Sequence, residues 1–129
     1  MPHWLYWLNT FARPWGLDIS FVDTTKLDDL AAAIRPSHTK LVWLETPANP
    51  LWHVSDIAAA ADLAHRAGAC LAVDSTVAAT IFTQPLLLGA DLVMHAATKY
   101  LNGHSDLIAG SLIAGPSLCD AGDLMNPVS

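Results

Sequence analysis

Three short polar clusters in the 129-residue chain contain side chains suited to covalent catalysis. Residues 45–50 (ETPANP) include an acid and an amide, residues 74–76 (DST) an acid and two hydroxyls, and residues 96–100 (AATKY) an amine. A lysine in a crowded, partly apolar position is suited to Schiff-base chemistry, because desolvation lowers the pKa of its amine. A carboxylate beside it can keep a heterocyclic ring nitrogen protonated. These residue types predict a site for amine–carbonyl chemistry.

Each of these clusters follows a short apolar run that predicts a buried strand. The runs lie at residues 40–44 (KLVWL), 69–73 (ACLAV) and 91–95 (DLVMH). Such runs are typical of parallel strands covered on both faces. Because the carboxyl ends of parallel strands meet at one edge of a sheet, we expect the acid, the amide and the amine to converge on a single crevice there.

Helical spacing separates the apolar runs. Thr25 is the expected N-cap of a first helix, which Pro36 ends, and Ser55 is the expected N-cap of a second, with Asp56 in its first turn and Gly68 just after its end. Alternation of strand and helix with short connections predicts an α/β fold. We therefore expect a three-layer architecture, with a mostly parallel sheet and helices on both faces.

The remaining segments complete a single block without a linker. Residues 18–23 (DISFVD) predict an additional early strand, residues 84–89 a short helical turn, and residues 107–114 (LIAGSLIA) a fourth apolar strand. Residues 116–129 show no clear period.

An acid, an amide and a lysine at adjacent strand ends are the groups that a pyridoxal 5'-phosphate (PLP) site requires. The run ETPANP, VDST and HAATKYLNGHSD also resembles the PLP-dependent transsulfuration enzymes in the order and spacing of its motifs. These enzymes include cystathionine gamma-synthase, the cystathionine lyases, methionine gamma-lyase and the O-acylhomoserine sulfhydrylases. The resemblance covers residues 16–114 and is nearest to cystathionine gamma-synthase-like proteins.

The resemblance assigns roles to five residues. Lys99 matches the lysine that binds PLP as a Schiff base and later moves protons at the substrate α carbon. Asp74 matches the aspartate that pairs with the pyridine nitrogen, so that the ring withdraws electrons. Asn49 matches an asparagine that hydrogen-bonds the 3'-oxygen of the cofactor. Thr98 matches a hydroxyl that contacts the phosphate, and Thr76 matches a residue beside the ring.

Other members of the motif are expected to be architectural, namely Glu45, Tyr100, Gly103, His104 and Asp106. One position departs from the family pattern. Ala96 stands where the family usually has a serine that contacts the phosphate. The loss of such a bond to a charged group costs roughly 1.5–3 kcal/mol.

Relatives in this family are much longer chains, and the resemblance implies that this chain carries only the middle of their large PLP-binding domain. We therefore expect a partial large domain, without the small C-terminal domain, the upstream phosphate loop and the ring-stacking tyrosine. Arg13, Arg35 and Arg66 lie outside the matching motifs and take no substrate-binding role from the resemblance.

The implied function is a PLP-dependent enzyme of sulfur amino-acid metabolism. Its reaction is β- or γ-elimination, or γ-replacement, on a small cysteine- or homoserine-derived substrate. The alternative is a truncated, catalytically inactive fragment that binds PLP weakly or not at all. Full-length relatives are homotetramers, so self-association is expected here too.

Composition excludes several other classes. The net charge is −6, from 12 acidic and 6 basic residues, and no basic cluster favours nucleic acid or an anionic membrane. Hydrophobic residues make up 53% of the chain, which excludes disorder, yet no run is long enough to predict a membrane span. The first residues lack a signal-peptide pattern, and the two cysteines form no disulfide framework. A cytoplasmic location is expected.

Other site types lack their signatures. His53, His65, His95 and His104 match no metal-binding spacing, so no metal is expected. No GxGxxG follows a strand, and no GxSxG is present, which argues against nicotinamide and esterase chemistry.

Overall fold

A four-stranded mixed sheet forms the centre of the protein. The computed structural model describes residues 3–120. The strands are β1 (Leu41–Glu45), β2 (Cys70–Asp74), β3 (Leu92–His95) and β4 (Ser111–Ala114). Neighbours in the sheet follow chain order; β1, β2 and β3 are parallel, and β4 is antiparallel to β3. The predicted mostly parallel sheet is confirmed.

Short helices precede, connect and follow these strands. They are α1 (His3–Trp7), α2 (Leu27–Ala33), α3 (Ile57–Arg66), α4 (Ala79–Phe82) and α5 (Pro116–Asp120), with a π-helical turn at Leu8–Ala12 and a 3-10 turn at Pro85–Leu88. Among residues 3–120, no helix has the length and apolarity needed to cross a membrane.

One face of the sheet packs against α3, and we call it the packed face. Its strand residues are Val42, Leu44, Leu71, Val73 and Val93. Alanines of α3 allow the helix to lie close to these strands, and at Gly89 an added Cβ would meet the Cβ of Ala61 at 3.0 Å. Burial of this aliphatic layer supplies the main hydrophobic stabilisation of the described residues.

The opposite face, which we call the open face, is more exposed to solvent. Side chains alternate across a strand, so Leu41, Trp43 and Glu45 of β1 share this face with Asp74 of β2. Leu41 and Trp43 are 48% and 49% exposed. No described helix covers these two side chains completely.

Residues 18–23 do not form the predicted strand. The segment has no regular secondary structure, although it contains the apolar residues Ile19, Phe21 and Val22. Asp18 instead pairs with Arg35, and Asp23 accepts hydrogen bonds from the Thr25 N–H and hydroxyl. An aspartate that bonds its own downstream backbone favours a turn.

Both predicted N-caps are displaced by one residue. Because the Thr25 hydroxyl donates to Asp23, it caps nothing, and Lys26 occupies the N-cap of α2. Asp56, rather than Ser55, caps α3 by accepting the Ala59 N–H at 3.0 Å. The Ser55 hydroxyl is hydrogen-bonded to the Thr24 hydroxyl.

The predicted fourth strand is shorter than expected. Residues 107–110 are irregular, and only Ser111–Ala114 pair with β3. Ahead of the strand, Ala109 hydrogen-bonds Thr98 instead of a strand partner. In the segment predicted to lack a period, α5 forms at its start, and residues 121–129 lie outside the described residues.

Candidate functional site

Asp74 ends β2 on the open face, at the carboxyl edge of the sheet. One of its carboxylate oxygens, Oδ1, accepts the Thr76 N–H at 3.0 Å and the Thr76 hydroxyl at 2.6 Å. The other oxygen, Oδ2, accepts no hydrogen bond from residues 3–120. Asp74 is thus held in place through one oxygen, and the second is available to a ligand.

Thr76 connects Asp74 to the lysine loop. Its hydroxyl oxygen accepts the Ala96 N–H at 2.8 Å while its hydrogen goes to Asp74. Ala96 begins the segment that follows β3 and leads to Lys99. The hydroxyl therefore couples the position of the carboxylate to the start of the loop that carries the amine.

Lys99 lies on a turn that its own backbone closes. Its N–H donates to the Ala96 carbonyl at 2.9 Å, and its carbonyl accepts the Gly103 N–H at 2.9 Å. Gly103 has a φ of 73°, in the left-handed region that favours glycine. The side chain of Lys99 is exposed, so the expectation of a crowded, partly apolar position is wrong for the described residues.

Among residues 3–120, the amine of Lys99 has no protein partner, unlike those of the other two lysines. Lys26 pairs with Asp23 at 3.5 Å, and Lys40 donates to the Ser37 carbonyl at 3.1 Å. Within residues 3–120, the Lys99 Nζ makes no hydrogen bond or ion pair. Lys99 lines an open cavity of about 720 Å³, together with Thr98, Tyr100, Gly103 and residues 105–108. The Lys99 amine therefore lies at an open cavity that could admit a ligand.

Thr98 is engaged by the segment that precedes β4. Its hydroxyl donates to the Ala109 carbonyl at 3.2 Å and accepts the Ala109 N–H at 2.9 Å, and its own N–H donates to the same carbonyl at 3.1 Å. A hydroxyl has one hydrogen to donate. In this arrangement Thr98 anchors the lysine loop, and its predicted phosphate contact requires that hydrogen to turn away from Ala109.

Asn49 lies in the turn that follows β1. Its backbone N–H donates to Glu45 Oε1 at 3.0 Å, and the residue is exposed. Glu45 thereby shapes the turn, as its expected architectural role requires. Asn49 follows the strand next to the one that Asp74 ends, since Glu45 and Asp74 are partners in the sheet register.

Two further loop residues have the structural contacts expected of them. Asp106 accepts a hydrogen bond from the Asn102 side chain at 2.7 Å, and His104 is hydrogen-bonded to the Asn102 carbonyl at 2.8 Å. Sequence reasoning missed Asn102 and Ala109. The spacing of Asn102 and Asp106 is a usable signal, whereas Ala109 acts through its backbone and has none.

Comparison with known proteins decides the family. The family described as "Cys/Met metabolism PLP-dependent enzyme" matches residues 5–125. The chain belongs to this family. Two of its similar relatives are cystathionine gamma-lyase of Dictyostelium discoideum, 54% identical over 101 residues, and chloroplastic cystathionine beta-lyase of Arabidopsis thaliana, 52% identical over 97 residues.

This member of the Cys/Met metabolism family spans about a quarter of the length of those relatives. The two alignments cover 78% and 75% of this chain, but 26% and 21% of the relatives. The relatives named here are lyases, which supports a PLP-dependent enzyme of Cys/Met metabolism by family membership. These relatives do not specifically support the cystathionine gamma-synthase-like assignment, because they are named as lyases.

Solved structures of the family share its fold. The Corynebacterium glutamicum metB structure superposes with a TM-score of 0.85 at 39% identity, covering 91% of this chain and 30% of that one. Cystathionine gamma-lyase of Lactobacillus plantarum, complexed with L-serine, gives 0.83 at 41% identity over 90% and 31%. The predicted fold class, part of a fold-type I large domain, is confirmed.

The described side chains fit PLP at its ring and aldehyde ends. A carboxylate oxygen without a donor, an unpartnered amine and an exposed amide follow three neighbouring strands at Asp74, Lys99 and Asn49. Fewer hydrogen-bond donors are available to the phosphate group, because Ala96 carries no hydroxyl and the Thr98 hydroxyl donates to the Ala109 carbonyl. Lys99, Asp74 and Asn49 are the residues that would hold the cofactor.

Proposed function

We propose that this chain provides the PLP-binding residues of a transsulfuration enzyme. The reaction class is β- or γ-elimination, or γ-replacement, on a small cysteine- or homoserine-derived substrate, of the cystathionine gamma-synthase-like kind. The supporting observation is that two groups without a protein partner among residues 3–120, the Lys99 amine and Asp74 Oδ2, belong to the ends of adjacent strands. Thr76 links the Asp74 carboxylate to Ala96, where the lysine loop begins.

The chemistry assigned to each side chain follows from its contacts. PLP, when bound, supplies an electron-withdrawing ring that stabilises negative charge at the substrate α carbon. Asp74 Oδ2 would accept the ring N–H, while Thr76 keeps Oδ1 occupied and fixes the carboxylate. Lys99 Nζ would bind the cofactor and accept the substrate α proton as a general base. Asn49 would donate from its amide to the 3'-oxygen.

A titration with PLP tests this proposal. We expect saturable binding by the 129-residue chain and a lower affinity for Asp74→Asn, which keeps the shape but removes the charge. Lys99→Ala should lose covalent attachment. Equal affinity of Asp74→Asn and the wild-type chain would contradict the role of Asp74, and covalent attachment by Lys99→Ala would contradict that of Lys99.

A second candidate is a chain that holds PLP weakly and turns over no substrate. It is favoured by the engaged Thr98 hydroxyl and by Ala96, which leave few phosphate donors in the lysine loop. A change in free thiol distinguishes the two, because elimination from a thioether releases thiol and γ-replacement consumes added thiol. Either change, if Lys99→Ala abolishes it, supports the enzyme, whereas PLP binding without release or consumption of thiol supports the second candidate.

We also propose self-association into a homo-oligomer. Apolar side chains on the open face support it, since Leu41, Trp43 and Leu112 are each about half exposed or more. Light scattering after size-exclusion chromatography measures the oligomeric state, and a monomer at all concentrations would contradict it. A cytoplasmic location is proposed from the cysteine pattern of the sequence.

A further inference from the structure

A row of polar side chains crosses the packed face just beyond the hydrophobic layer. The row is Thr46, Ser75, His95 and Ser111, with one residue on each successive strand or directly after it. Ladder hydrogen bonds continue into it, from Thr46 N–H to the Asp74 carbonyl and from Ser75 N–H to the Met94 carbonyl. His95 and Ser111 are direct partners in the sheet register.

The members of this row differ in their hydrogen bonding. Thr46 is satisfied, because its hydroxyl accepts the Ser55 N–H at 3.0 Å. The other three polar atoms, Ser75 Oγ, His95 Nδ1 and Ser111 Oγ, are closed to solvent and have no partner among the described residues. Ser75 is 0% and His95 2% exposed. Native proteins pair nearly all such buried groups, so three in one row require an explanation.

The spacing of the row fits water between its members. Ser75 Oγ, His95 Nδ1 and Ser111 Oγ make no direct hydrogen bond to one another, and a strand spacing of about 4.8 Å leaves room for two bonds of about 2.8 Å through one water. Ser75 and Ser111 flank His95, so their strands lie about 9.6 Å apart by the same spacing. Because His95 Nδ1 makes a single hydrogen bond, the water on Nδ1 reaches one serine, and a second water is needed for the other.

Solvent reaches the edge of this row. Thr46, Val77 and Ala78 line a cavity of about 480 Å³, and Val77 and Ala78 follow Ser75 closely in the chain. The row itself consists of hydroxyls and one imidazole. Hydroxyls and imidazole nitrogens offer both donors and acceptors, which suits water.

We propose that two internal water molecules occupy this row, bound to Ser75 Oγ, His95 Nδ1 and Ser111 Oγ. They join the ends of β2, β3 and β4 on the side opposite Asp74. Because Ser75 follows Asp74 and His95 precedes Ala96, these waters stiffen the base of the candidate site from behind. The proposal concerns the chain without cofactor and does not depend on the proposed function.

Removing a serine hydroxyl tests the proposal through the sign of the stability change. If water binds the hydroxyl, Ser75→Ala and Ser111→Ala each take a partner from that water and lower the Tm by roughly 3–5 °C. If the hydroxyl is unpaired, its removal leaves the Tm unchanged or raises it. Ser55→Ala is the matched control, since its buried hydroxyl has a protein partner at 2.8 Å.

A second measurement detects the waters directly in the 129-residue chain. Nuclear Overhauser transfer from long-lived water to the His95 ring protons is expected in the wild-type protein and reduced in Ser111→Ala or Ser75→Ala. A Tm that falls in the variants together with this transfer supports the two waters. An unchanged or raised Tm, or a His95 ring without transfer from water, overturns them.

Discussion

The two faces of the sheet place packing and chemistry on opposite sides of the same strands. On the packed face, Leu44, Leu71 and Val73 are fully buried against α3. On the open face, Trp43 is half exposed, and Asp74 ends β2 with one free oxygen. Since successive residues of a strand point to opposite faces, a single strand serves both purposes. Variants of the site can therefore be made without disturbing the core.

The largest effect should come from truncation on the packed face. Leu44→Ala creates a cavity at a residue that is 0% exposed and should cost about 3 kcal/mol of unfolding free energy. Its neighbour on the open face, Trp43→Ala, is the matched control and should cost about 1 kcal/mol. Urea denaturation measures both. Similar losses of unfolding free energy in the two variants would contradict the difference in packing between the two faces.

A polar cluster at the amino edge of the sheet should give the next largest effect. Asp91 is buried and accepts the Leu71 N–H at 2.8 Å, with His65 and Ser117 at 2.8 and 3.3 Å. Asp91→Asn should cost about 2–3 kcal/mol, because a buried charged acceptor is lost. Ser117→Ala removes only the longest of these contacts and should cost less in the same urea experiment.

The same carboxylate predicts a dependence on pH. Burial raises the pKa of Asp91, but the Leu71 N–H, His65 and Ser117 outweigh it and hold that pKa below its ordinary value. A lowered folded-state pKa stabilises the fold above the unfolded pKa of about 3.9. This stabilisation is lost as the pH falls below 3.9 through the folded-state value. Urea midpoints of Asp91→Asn should fall less over that range than those of the wild-type chain.

On the open face, the Thr76 hydroxyl should have a smaller effect on stability and a local effect on the loop. Thr76→Val removes the donor to Asp74 and the acceptor of the Ala96 N–H, at a cost of about 1–2 kcal/mol. Hydrogen exchange at Ala96 should accelerate. Thr76→Ser retains the hydroxyl and should restore protection, and equal exchange in both variants would argue against the coupling.

The smallest effect concerns the cap of the helix that covers the packed face. Asp56→Ala removes the acceptor of the Ala59 N–H and should cost about 1 kcal/mol. Asp56→Asn keeps a good capping side chain and should lose much less. Thermal unfolding distinguishes the two, and equal losses for Asp56→Ala and Asp56→Asn would contradict the cap.

The three parallel strands could be predicted from the sequence, because each is a short apolar run that ends at a polar cluster. The runs at residues 40–44, 69–73 and 91–95 became β1, β2 and β3 with ends displaced by one residue at most. The strand prediction for residues 18–23 was wrong because a short segment with apolar residues does not by itself supply a neighbouring strand. Adjacent Ser55 and Asp56 both suit an N-cap, and only tertiary contacts between Ser55, Thr24 and Thr46 decide which one serves.

The residues of the candidate site were predictable by type and motif, whereas their contacts were not. Asp74 and Lys99 were identified from their motifs, and their cofactor roles stay predictions. The link from Thr76 to Ala96 and the anchoring of Thr98 by Ala109 use backbone groups, which no side-chain pattern encodes. The exposure of Lys99 depends on which segments surround the loop, and a local motif does not specify them.

The most direct measurement is the identity of the lysine that reacts with PLP. The 129-residue chain is incubated with PLP, reduced with borohydride and mapped by peptide mass spectrometry, with Lys99→Ala as the control. We expect a label confined to Lys99, whose amine has no partner among residues 3–120, and no label in the control. Label spread equally over Lys26, Lys40 and Lys99, or absent from Lys99, would contradict it.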